Sequence, residues 1–174
     1  RFQRVDHALQ VLQVADLDGH VDPRALVVAA GPRFHVPDVR VDVGNLGAGD
    51  VQWMTAGSGI MHQEMPKGDV FGRMHGFQLW ANLPSNLKMT SPRYQDVKSN
   101  EIPEIIDDDG TKVRVVVGSF WGKKGPVDGI AADPQYLDIT VPAGKRKVFK
   151  VDTYKSTFAY IFEGSATFRD ASKP

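Results

Sequence analysis

His62 and Glu64 stand two residues apart, with Gln63 between them. On an extended backbone positions i and i+2 share a face, so the imidazole and the carboxylate point one way and Gln63 the other. A neutral imidazole nitrogen and a carboxylate oxygen presented together form a claw for a divalent cation. Nitrogen-plus-oxygen donors suit Fe, Mn, Ni, Cu or Zn. An isolated His-x-Glu on a strand is more often surface decoration or a hydrogen-bonded pair, so its setting has to decide.

That setting is ordered by glycine. Gly47-Ala48-Gly49-Asp50 reads as a tight turn that lets a strand reverse. Val51 to Thr55 then reads as a strand, and Ala56-Gly57-Ser58-Gly59 as a second bend just before the His-x-Glu. Across the chain, 17 glycines and 11 prolines fall at short intervals and no window carries a long 3.6-residue apolar period, which predicts short strands rather than helices. Residues 76–83 alternate, with Phe77, Leu79, Ala81 and Leu83 on one side. Val113–Val117, Tyr136–Val141 and Phe158–Phe162 are further strands. Asp107-Asp108-Asp109-Gly110 is a turn, Pro142-Ala143-Gly144 turns the chain towards Lys147–Val151, and Glu163-Gly164 reads as a hairpin with 166–168 returning. Residues 84–110 lack a regular pattern and read as a connection, whose start packs across the preceding β unit. Ala8–Val14 fits helix or strand, and Ala25–Ala30 a short strand.

The composition narrows the chemistry. With no cysteine, disulfides, thiolate metal sites and cysteine nucleophiles are excluded. Lys+Arg and Asp+Glu balance at 21 each, so no net field draws the chain to nucleic acid or anionic lipid. The densest basic run, Lys145-Arg146-Lys147 with Lys150, reads as the wet face of a strand. No apolar run approaches the roughly 18 residues of a membrane span, so the expectation is a cytoplasmic protein with no membrane contact.

The stretch from Leu46 to Pro66, a Gly-Asp turn, a strand, a glycine three residues before the histidine and then His62-Gln63-Glu64-Met65-Pro66, resembles the pirin family's second metal motif. The resemblance continues through Arg73-Met74-His75-Gly76-Phe77-Gln78-Leu79-Trp80-Ala81-Asn82-Leu83-Pro84, Pro92-Arg93-Tyr94-Gln95 and Glu101-Ile102-Pro103. Trp121-Gly122, Tyr136-Leu137-Asp138 and residues 158–167 extend it, so that it covers roughly residues 44–174. It implies an all-β fold of two cupin (jelly-roll-like) β-barrels, the first over residues 1–108 with the metal site and the second over 109–174. No histidine follows His75, so the second barrel is expected to be metal-free. The chain opens on Arg1 and stops at Lys173-Pro174, and further strands should close the second barrel. A truncated fragment is therefore expected, whose open strand edges favour aggregation or dimers.

In the family one iron sits between a His-x-His pair and the His-x-Glu pair. The resemblance thus implies that His62 and Glu64 are two ligands of Fe2+, or of another divalent metal. No His-x-His precedes Gly47. The family's usual spacing places that pair near Asp18 and His20, again two apart, which would offer a carboxylate and an imidazole. The alternative is that residues 1–43 are unrelated to the family. His35 is a third candidate, better read as a loop or core histidine, and His75 as a structural one. Trp53 and Met54 read as core residues before cavity lining. The activity implied is that of a flavonol (quercetin) 2,3-dioxygenase, a small flavonol-like substrate and dioxygen meeting at the metal while Glu64 takes the hydroxyl proton. Two other outcomes stay open. One is an iron-containing, redox-responsive regulator, nuclear in eukaryotic relatives, that acts through a protein partner and not by reading nucleic acid. The other is a fragment with a degraded site.

Overall fold

The computed structural model describes residues 7–15, 45–60, 65–66 and 76–168. Among them the regular structure is all β apart from two three-residue 3-10 turns, Ser85–Leu87 and Ser99–Glu101. In chain order the strands are β1 (His7–Ala15), β2 (Asn45–Leu46), β3 (Val51–Thr55), β4 (Met65–Pro66), β5 (Arg93–Val97) and β6 (Glu104–Ile106). They continue as β7 (Lys112–Val117), β8 (Ser119–Phe120), β9 (Lys123–Lys124), β10 (Gln135–Val141) and β11 (Lys155–Glu163). The chain divides into two compact units. One is Asp16–Glu101 with Gly129–Ala132; the other is Arg1–Ala15, Ile102–Asp128 and Asp133–Pro174.

The second of these units is built on an antiparallel sheet in the order β11-β1-β10-β7-β6. Strand β1 comes from the far N-terminal end and lies between β10 and β11. Its sequence, HALQVLQVA, fits a helical and an alternating pattern alike, and the two antiparallel neighbours decide for strand. Leu137 stands opposite Val115 and Ile139 opposite Val113, and these four side chains form a block with 0–2% exposure. Burying each contributes roughly 1.5–3 kcal/mol. Ile105, Phe120, Val141 and Phe149 pack against the block.

The Asp107–Gly110 turn joins β6 to β7, with the Gly110 N–H donating to the Asp107 carbonyl at 2.8 Å. Residues 145–150 form no strand. Lys147, expected on the wet face of one, instead has a side chain only 16% exposed. Its ammonium donates to the carboxylates of Asp107 and Asp109, the latter at 3.0 Å, and lies 5.3 Å from the Trp121 ring centroid. Two carboxylates and a ring face stabilise the cation better than water on an open strand face does. Residues 165–168 likewise form no return strand after β11.

In the Asp16–Glu101 unit, β3 pairs antiparallel with β5, and β2 pairs parallel with β4. Residues 76–83 form no strand despite their alternation: Phe77 and Trp80, on opposite sides of the pattern, are 44% and 55% exposed. Alternation marks a strand only where a face is buried. Residues 84–110, read as irregular, contain β5 and β6.

Candidate functional site

The turn that launches β3 is closed from both ends. Asp50 N–H donates to the Gly47 carbonyl at 3.2 Å, and Gly47 N–H donates to the Asp50 carboxylate at 3.0 Å. The other carboxylate oxygen accepts the Ser99 N–H at 2.8 Å, and the Lys98 ammonium, shared with Asp96, lies 3.4 Å from the oxygen that Gly47 bonds. Partial burial pushes the Asp50 carboxyl up, but the Ser99 and Gly47 N–H groups and Lys98 outweigh it and hold it below the usual carboxylate range. Asp50 therefore ties the start of β3 to the segment after β5.

Strand β3 runs against β5 in a five-rung register from Val51–Val97 to Thr55–Arg93, with Trp53 and Met54 half-buried. It ends in the Ala56–Gly59 turn, where Gly59 N–H donates to the Ala56 carbonyl at 2.9 Å. Ser58 N–H donates to the Thr90 carbonyl, also at 2.9 Å, binding this turn to the loop after Ser85–Leu87. Gly57 has φ +51, and a Cβ there would overlap the Thr90 carbonyl oxygen. No other residue fits so close to that backbone.

The chain resumes at β4, where Met65 stands beside Asn45 and Pro66 beside Leu46. His62, Gln63 and Glu64 fall between the described turn and β4 and lie outside the described residues, as do Asp18, His20, His35 and His75. Among the described residues no group of three or more His, Cys, Asp or Glu could hold a metal ion. No helix among them is long and apolar enough to cross a membrane. In the sequence the pair falls between the described Ala56–Gly59 turn and β4.

One feature of this unit is invisible in the sequence. A cavity of about 190 Å³ opens at the Thr55–Arg93 rung, lined by Thr55, Leu83, Leu87, Thr90, Ser91, Arg93, Gly129 and Ala131. Position 129 lies 36 residues beyond Arg93, so no local pattern signals their meeting.

A family model described as Pirin matches residues 27–81, which takes in residues 27–43, upstream of the resemblance read from the sequence. A pirin-like protein of Caulobacter vibrioides is 43% identical over 122 residues, covering 70% of this chain and 44% of its own. Pirin-1 of Arabidopsis thaliana is 43% identical over 121 residues, covering 70% and 40%. A Pseudomonas aeruginosa protein provisionally named a quercetin 2,3-dioxygenase is 39% identical over 128 residues, covering 71% and 45%. The chain spans less than half the length of each of these relatives. The crystal structure of a quercetin 2,3-dioxygenase from Acinetobacter baumannii aligns over 84% of this chain and 69% of its own at 19% identity. Its TM-score of 0.36 is too low to argue from. The family match and the relatives near 40% identity agree with the motif around His62 and Glu64: over these residues the chain is similar to the pirin family.

Proposed function

We propose that this chain is a metal-dependent cupin in which His62 and Glu64 hold Fe2+, with Asp18 and His20 as the second ligand pair, and that it acts on a flavonol such as quercetin as a 2,3-dioxygenase. The observation that carries the reading is the position of the His-x-Glu. It follows a glycine turn pinned to Thr90 and leads directly into β4, inside the segment matched by the family model. Relatives provisionally named quercetin 2,3-dioxygenases support the substrate class.

The donor set fits such an ion by its chemistry. Two imidazoles and two carboxylates are nitrogen and oxygen donors, and each pair has the i, i+2 spacing that puts both groups on one face of an extended segment. When bound, the ion supplies Lewis acidity and redox capacity. The protein's own residues do the rest. Glu64 accepts the proton of the substrate hydroxyl, and His62 orients it by fixing the common face. The Ser58 N–H bond to the Thr90 carbonyl anchors the turn that precedes this segment, and the β2–β4 pairing anchors the residues that follow it.

The test is oxygen uptake with quercetin by the iron-loaded protein and by a His62→Ala variant. Uptake should depend on His62; equal rates would sink the dioxygenase reading.

A further inference from the structure

We propose that the chain cuts itself at the Asp133–Pro134 peptide bond, with the Asp133 carboxyl as nucleophile and the Lys155 ammonium activating the carbonyl. Among the described residues three non-glycine positions have positive φ. Ala132 (+78) and Asp133 (+42) are two of them, side by side just before this bond. Aspartate tolerates that conformation through its short polar side chain, whereas alanine does not, so the segment holds strain beside the bond. Lys155 Nζ donates to the Asp133 carbonyl oxygen and to its Oδ2, each at 2.7 Å. The lysine side chain is 17% exposed and that of Asp133 88%, so the donor is held in place while the nucleophile meets water.

The chemistry follows from those contacts. A carboxyl oxygen of Asp133 attacks the carbonyl carbon of its own residue and closes a five-membered cyclic anhydride, a reaction whose partners are already tethered. Lys155 holds Oδ2, which leaves Oδ1 as the attacking atom. Negative charge develops on the carbonyl oxygen, where the Lys155 ammonium already donates. The C–N bond to Pro134 then breaks, and the carboxyl proton passes to the proline nitrogen, which is more basic than other peptide nitrogens. Water opens the anhydride. One peptide bond and one water thus yield a new carboxyl on Asp133 and a secondary amine on Pro134. Pro134 is buried and leads into β10, and β11 follows in the same product. Both strands pair with β1 of the other product, so the cut pieces stay together in the folded sheet. None of this depends on the metal reading.

The test is mass spectrometry, under denaturing conditions, of the full chain after incubation in one mildly acidic buffer, with and without guanidinium chloride. The folded chain should yield residues 1–133 and 134–174 at least about tenfold faster than the unfolded chain, which has the same bond but neither the strain nor the lysine. Lys155→Met should slow the folded cut by about tenfold, and Lys155→Arg should keep most of the wild-type rate. Asp133→Gly removes the nucleophile and accepts the positive φ, so it should fold and remain whole. Circular dichroism melts establish that each variant is folded. Absence of the two fragments, a cut as fast in guanidinium chloride as in the folded chain, an unchanged rate in folded Lys155→Met, or cutting of Asp133→Gly would each overturn the proposal.

Discussion

The carbonyl oxygen of Thr90 lies where the Cβ of any residue other than glycine at position 57 would have to sit, and it accepts the N–H of the next residue, Ser58, at 2.9 Å. Gly57 is also at φ +51. Gly57→Ala therefore meets both left-handed strain and backbone overlap, and should destabilise the protein by about 1–3 kcal/mol. The same change moves the turn that leads to His62. Urea denaturation should show the lower stability, and a metal titration of the folded variant should show weaker binding than the wild type.

The Gly47–Asp50 and Ala56–Gly59 turns, β3, β7, β10 and β11 were legible because each depends on nearby residues: glycine where φ is positive, alternation where one face is covered. What was not legible depends on distant partners. Strand β5 has the polar sequence Arg93-Tyr94-Gln95-Asp96-Val97 and is a strand because β3 lies beside it. Residues 76–83 show the converse, a pattern that does not become a strand. Lys147 looked like one more surface lysine until Asp107 and Asp109, some 40 residues earlier, were seen to converge on it. The cavity beside Arg93 depends on Gly129 in the same way. The donors expected to join His62 and Glu64 lie outside the described residues, and their assignment stays with the proposal.

Acid sensitivity should trace in part to the Lys147 cluster. The Thr111 N–H first, and the Lys147 ammonium after it, hold the Asp109 carboxyl down at about 2. A depressed carboxyl stabilises the fold above its unfolded pKa near 4 and loses that contribution as pH falls towards 2. Asp109→Asn should lower the melting temperature at pH 7, and the gap between variant and wild type should close as pH drops below about 4. A gap that stayed constant down to pH 3 would mean that the charge on Asp109 contributes nothing.

In the core block, Leu137 is 2% exposed and faces Val115 across the β10–β7 ladder. Leu137→Ala leaves a cavity against closely packed neighbours and should cost about 2–5 kcal/mol. Equilibrium urea unfolding reads this directly. A loss below 1 kcal/mol would show that the block relaxes around the gap.

Glu64→Gln keeps the shape of the side chain and removes its capacity to take a proton. With iron supplied in excess, quercetin-dependent oxygen uptake should fall by about 10²–10⁴-fold, the scale of a lost general base. Unchanged uptake would remove Glu64 from the chemistry.

The central claim is that His62 and Glu64 are ligands, and anaerobic titration with Fe2+ tests it most directly. Wild-type protein should bind one equivalent of Fe2+, while folded His62→Ala and Glu64→Gln proteins should bind it more weakly, the histidine variant most of all. Binding of the same stoichiometry and affinity by all three would contradict the account.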